Sequence, residues 1–196
     1  NMIFLTFGTG LGAGLILNGE LYSGTNGMAG EAGHIRLAEN GPVGYGKAGS
    51  FEGFCSGGGI AQLGQVMAEE ALDREEIPSF CQSKGELFKV NARTIAEAAE
   101  KGDPLALKIY DIVADRLGQG LAILVDLLNP EKIVIGSIFL RQEKLLRTRM
   151  EKILNKEALE HSLSVVEVVP AGLGEKLGDY AAVSVGLRAY QKKQER

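Results

Sequence analysis

What the sequence has little of narrows its reading first. No apolar run approaches the roughly 20 residues that cross a bilayer, so no membrane role is expected. No signal-peptide pattern is visible. The two cysteines, Cys55 and Cys81, have neither metal nor redox spacing, which fits a reduced, cytoplasmic setting. Basic residues form no block and the net charge is -4, so no nucleic-acid surface is expected within the chain. Tryptophan is absent, which decides nothing. The remainder, 196 residues at 45% hydrophobic and 23% charged, is the profile of one ordinary globular domain with room for an insertion.

Glycine is what the chain has in excess: 27 residues, most of them before residue 60. In "TFGTGLGAGL" an apolar strand-like run passes into Gly8, Gly10, Gly12 and Gly14. Such a turn lets backbone amides converge on an anion with no Cβ in the way. It would serve equally well as a tight hairpin that needs positive φ. The next stretch, "GTNGMAGEAGHIRL", sets Glu31 and His34 three apart in a frame of Gly24, Gly27, Gly30 and Gly33. Carboxylates accept from hydroxyls and imidazole donates or accepts, so the pair could grip a polyol. A solvated Glu beside a structural His would leave the same pattern.

Periodicity supplies the frame. Residues 2–7, 13–18 and 34–37 read as short strands, with Asn18-Gly19 as a hairpin turn. Residues 58–74 read as an amphipathic helix with Ile60, Leu63, Val66 and Met67 on one face, and 94–101 as a short helix ended by Gly102. Asp103 and Pro104 form an N-cap and first-turn pair for a long helix reaching Leu128. A buried strand at 132–135, a helix at about 141–159, a strand at 163–169 and a helix from Asp179 to about 192 complete the order. Strands alternating with helices after a meander predict an α/β fold, a mixed sheet covered by helices, with ligands beyond the strand ends.

The blocks GTGLGAG, GELYSGTNGMAGEAGH and GSFEGFCSGGGI, with the later "GDPLA", "NPEKIVIG" and "LGDYAAVSVGLRAY", resemble the ROK family of repressors, open reading frames and sugar kinases over almost the whole chain. The resemblance implies the C-terminal, ribonuclease-H-like lobe of an actin-hexokinase-like fold, with a largely helical insertion at about 57–103. It implies Thr9 and Gly10 at the β- and γ-phosphates of ATP, Glu31, His34 and Glu52 on a sugar, and Gly136 at the start of the adenosine-side turn. ATP with Mg²⁺, a sugar and a second copy of the chain are the implied cofactors and partners.

Departures from the family pattern matter as much. The family commonly holds a structural zinc with the His of Glu-x-x-His and three cysteines. Here one of those cysteine positions is absent or Val43 and the others read Tyr45 and Ser50, so no zinc is expected. Ser137 stands where a glycine is usual. The family's first lobe, with another phosphate turn and the catalytic Asp, has no counterpart in these residues, so no catalytic residue is assigned. Asp111, Asp115 and Asp126 fall on the long helix, and Asp179 reads as a cap. The function expected is that of the C-terminal lobe of a glucokinase- or fructokinase-like enzyme, inactive by itself. A sugar-sensing transcriptional repressor and a purely dimerising lobe are the alternatives.

Overall fold

The computed structural model describes residues 1–174 and the single positions Tyr180, Val183, Ser184 and Leu187. The helix expected from Asp179, and Asp179 itself, fall largely outside the described residues.

The first strands are β1 (Met2–Phe7), β2 (Leu11–Leu17) and β3 (Glu20–Tyr22). Asn18 and Gly19 both take positive φ, 53° and 78°, the requirement of the tight turn that matches strand twist. A small hairpin, β4 (Val43–Gly44) with β5 (Lys47–Ala48), precedes the helices α1 (Phe51–Phe54), α2 (Gly57–Asp73), α3 (Ala92–Glu100) and α4 (Pro104–Leu128). After them come β6 (Lys132–Ile135), α5 (Ile138–Glu157), α6 (Glu160–Leu163) and β7 (Glu167–Pro170). The main sheet runs β3-β2-β1-β6-β7. The first three strands are antiparallel, while β6 lies parallel to both β1 and β7. The expected mixed sheet with helical cover is therefore present.

Helix α4 is the centre of the core. Asp103 caps it by accepting from Ala106 N–H at 2.9 Å, Pro104 fills its first turn, and Asn129 ends it in the left-handed region. Its Ile109, Val113, Leu117, Leu121 and Val125 are all fully buried. Gly118 lets the α5 backbone approach, since a Cβ there would lie 2.6 Å from Met150 O. The apolar face of α4 is thus spent inside the fold. Leu127 is the large apolar α4 residue left most exposed.

Several expectations are corrected. Residues 34–37 form no strand. Ala32–His34 is a 3-10 turn, and the chain after it makes only an isolated bridge from Arg36 to Ser50. The third strand is instead Glu20–Tyr22, whose side chains are all exposed and so carry no apolar alternation. Val66 faces outward on α2, because the buried seam there is made of small residues, Gly64, Ala68 and Ala71, against which α3 packs closely. The strand expected at 163–169 begins only at Glu167, after the turn of α6. Helix α5 starts three residues earlier than 141. Buried Ile138 and Phe139 form a first turn that kinks at Gln142.

Candidate functional site

Everything of chemical interest clusters where β1 ends. The turn from Gly8 to Gly10 is closed by a hydrogen bond from Gly8 N–H to Gly10 O at 3.0 Å. The first amide of α2, Gly57 N–H, donates to Gly8 O at 2.7 Å and so supports the turn from behind. Thr9 sits exposed at its tip. Glu52, on α1, accepts from Leu11 N–H through Oε2 at 2.9 Å, and a Cβ on Gly10 would lie 2.7 Å from that oxygen. Glycine at position 10 is therefore what lets a carboxylate sit against the turn.

Glu31 and His34 reach the same place through close backbone approach. Ala13 N–H donates to Gly30 O at 2.7 Å. A Cβ on Gly30 would lie 1.9 Å from Ala13 O, and one on Gly33 would lie 2.1 Å from Leu11 O. The segment is pressed onto β2 in a way only glycine permits. On a 3-10 turn, side chains at i and i+3 eclipse, so the Glu-x-x-His spacing sets both groups over one side. Ser50 caps α1 by accepting from Gly53 N–H at 3.0 Å, which fixes the helix that carries Glu52.

The result is one pocket of about 340 Å³ lined by Glu31, His34 and Glu52 together with Leu11, Met28, Gly33 and Tyr45. The sequence trio thus converges. Tyr45 was not foreseen as part of it. Its ring stands edge-on to His34 with centroids 6.3 Å apart. The only signal available was its place at a missing cysteine position.

Gly136 and Ser137 lie on the other flank of the turn. Gly136 N–H continues the sheet by donating to Leu5 O at 3.0 Å, so Gly136 contributes a change of chain direction there and its amide is already engaged. Ser137 takes φ 61° and ψ -112°, backbone that favours glycine, and its Oγ would lie 3.1 Å from a Cβ on Gly8. From Ile138 onward a second cavity of about 600 Å³ opens between α3, α4 and α5, lined by Arg93, Glu97, Glu100, Tyr110, Arg141 and Gln142 among others. Tyr110 anchors its floor by donating to Ala92 O at 3.2 Å, and burial pushes its phenol well above the usual range.

The donor set does not fit a structural zinc. Among the described residues there is no group of three or more His, Cys, Asp or Glu that could hold a metal. Cys55 is buried in the core with its Sγ toward Val113 O, and desolvation raises its thiol well above the ordinary value. Cys81 points to Ser83 O. Neither thiol serves the loop that carries Val43 and Tyr45. Among the described residues no helix is long and apolar enough to cross a membrane.

Comparison with known proteins adds further findings. The ROK family profile matches residues 1–185. A glucokinase of Halalkalibacterium halodurans is 38% identical over 138 residues, covering 69% of this chain and 41% of that protein. The DNA-binding transcriptional dual regulator NagC of Escherichia coli is 32% identical over 179 residues, covering 89% of this chain and 41% of that protein. The crystal structure of a ROK family glucokinase from Streptomyces griseus, in complex with glucose and AMPPNP, superposes with a TM-score of 0.74 at 29% identity, covering 89% of this chain and 56% of that one. The chain therefore spans about half the length, or less, of the proteins it matches.

Proposed function

The chain belongs to the ROK family, and from that premise we propose that it is the C-terminal lobe of an ATP-dependent sugar kinase of the glucokinase type. In this reading Glu31, His34 and Glu52 hold the sugar hydroxyls, and Thr9 and Gly10 face the β- and γ-phosphates. Gly136 begins the adenosine side, and the cavity that opens at Ile138 takes the base. Mg·ATP supplies the phosphoryl group and neutralises its charge when bound. The general base belongs to a lobe outside these residues.

One observation carries the reading. Glu52 lines the hydroxyl-binding pocket and also accepts from the amide at the end of the glycine turn. Phosphoryl transfer consists almost wholly of bringing acceptor and donor together in line. A single carboxylate shared by the pocket and the turn supports that juxtaposition. Two cavities on opposite flanks of one turn suit two substrates better than one sensed sugar.

The second reading is a sugar-sensing repressor, favoured by the NagC relative, which matches more of this chain than the H. halodurans glucokinase does. The full-length protein separates the two. ATP-dependent phosphorylation of glucose above a heat-killed control is expected. Its absence, together with DNA binding released by sugar, would move the assignment to the repressor. The 196-residue chain alone is expected to be inactive, and turnover by it would overturn the placing of the base in another lobe.

A further inference from the structure

We propose that a hydrogen-bonded clamp centred on Gln62 takes over, in this chain, the positioning role that a zinc site has in the family, fixing the 36–50 loop and with it His34 and Tyr45 at the pocket. The three positions that lack cysteine each carry a different contact. Val43 is held at both backbone groups by one side chain: its N–H donates to Gln62 Oε1 at 3.0 Å, and Gln62 Nε2 donates to its carbonyl at 3.0 Å. The carboxamide thus sits on the outer edge of β4 as a neighbouring strand would, and ties the hairpin to α2. Ser50 is fully buried, caps α1, and donates to Gly44 O at 3.4 Å. Tyr45, with φ 43°, turns its ring toward His34.

Two cations close the other side. Arg36 donates to Ala48 O at 2.8 Å, and Lys47 Nζ donates to His34 O at 2.8 Å. Each is a charge-assisted bond to a backbone carbonyl, the strong kind. Glycine completes the weld: a Cβ on Gly49 would lie 2.1 Å from Ala38 O, and one on Gly44 would lie 2.5 Å from Gly53 N. A metal fixes a loop by drawing side chains to one point. Here the same loop is fixed by side chains reaching backbone at several points, with Gln62 as the link to the helical body. Gln62 is a positioning residue, since it does not itself line the pocket.

The inference rests on the sugar-pocket reading only for its affinity arm. In the full-length protein, hydrogen exchange at the Val43 and Gly49 amides, measured without ligand, is expected to be unchanged by dialysis against EDTA. It should quicken about tenfold in Gln62→Ala. Glucose affinity, or that of N-acetylglucosamine as a second probe, should fall about three- to tenfold in that variant while AMPPNP affinity moves less than twofold. Lys47→Met, on the hairpin surface, should weaken the sugar in the same direction, and it serves if Gln62→Ala does not fold. About one zinc per chain surviving dialysis, chelator-induced loosening of the loop, or unchanged exchange in Gln62→Ala would each overturn the clamp. A loop that loosens as expected in a protein that binds neither sugar would leave the clamp standing and remove the sugar reading instead.

Discussion

The glycine-framed region that holds Glu31, His34 and Glu52 and the α4–α5 pair are fixed by opposite means. In the α4–α5 pair, the close approach at Gly118 apart, large side chains fill the core: Leu117, Leu121, Leu146 and Met150 are all fully buried, and Arg149 of α5 pairs with Asp111 and Asp115 of α4 on the outside. Around the pocket it is the absence of side chains that matters, because backbone packs on backbone at Gly30, Gly33, Gly49 and Gly59. A region built from burial tolerates small losses of volume. A region built from close approach tolerates almost no added atom. The second kind suits a site, since its groups are placed by rigid main chain and remain open to solvent.

Close approach leaves almost no room at Gly33. A Cβ there meets Leu11 O at 2.1 Å and Glu52 Cβ at 3.2 Å, so the 3-10 turn or the β2 backbone must move. Overpacking usually costs about 1–3 kcal/mol. With a backbone carbonyl in the way, Gly33→Ala should cost about 4 kcal/mol by denaturant unfolding, above that range. It should also abolish measurable sugar binding. The matching change in the other region is Leu117→Ala, which leaves a cavity in the core around α4. It should cost about 3 kcal/mol and leave ligand affinities within about twofold at temperatures where the protein stays folded. If Leu117→Ala removed sugar binding while Gly33→Ala did not, the division between the two regions would be wrong.

The same division explains what could be read from sequence. Asp103-Pro104 and the apolar spacing from Ile109 to Val125 announce α4 because capping and helical period are local. Ile133, Val134 and Ile135 announce β6 because a strand lying between two others is apolar without alternation. Glu31, His34 and Glu52 were found through family motif, and the pocket joins them, but no periodicity in the sequence could have placed them together. That depends on Gly30 and Gly33 against β2, a contact between segments visible only once the chain is folded. Tyr45 and Gln62 were illegible for the same reason. Gln62 looks like any polar residue on a helix until β4 arrives beside it. The absent strand at 34–37 shows the converse: its alternation is real, but no neighbouring strand accepts it beyond the one bridge at Arg36.

A finer test lies inside the site. His34 lines the pocket, whereas Glu52 both lines it and accepts from Leu11 N–H at the end of the glycine turn. His34→Ala should weaken the sugar about tenfold, the equivalent of one hydrogen bond at ~1.4 kcal/mol, and leave nucleotide affinity unchanged. Glu52→Gln should weaken both ligands, because the charge accepting from Leu11 N–H is lost along with the hydroxyl acceptor. Calorimetric titration of each variant with glucose and with AMPPNP reads the split. Equal losses for both ligands in His34→Ala would mean the two flanks are not separate.

The smallest expected effect asks whether close approach also governs the adenosine flank. Ser137 holds φ 61° with no capping hydrogen bond from its side chain. A non-glycine residue in such backbone costs on the order of 1–3 kcal/mol. Glycine relieves that but gives back ~0.5–1 kcal/mol of unfolded-state freedom. Ser137→Gly should therefore stabilise the protein by about 1 kcal/mol, a rise of roughly 2–4 °C in Tm for a domain of this size. Its neighbour gives the sharper reading. A Cβ on Gly8 meets only Ser137 among its near contacts, at 3.1 Å from Oγ and 3.7 Å from Cβ. Gly8→Ala should thus be costly in the presence of Ser137 and nearly neutral in the Ser137→Gly background, an interaction of about 0.5 kcal/mol or more in a double-mutant cycle. An additive cycle would mean that Gly8 is required by the turn itself, and the crowding between the two flanks would then have no energetic consequence.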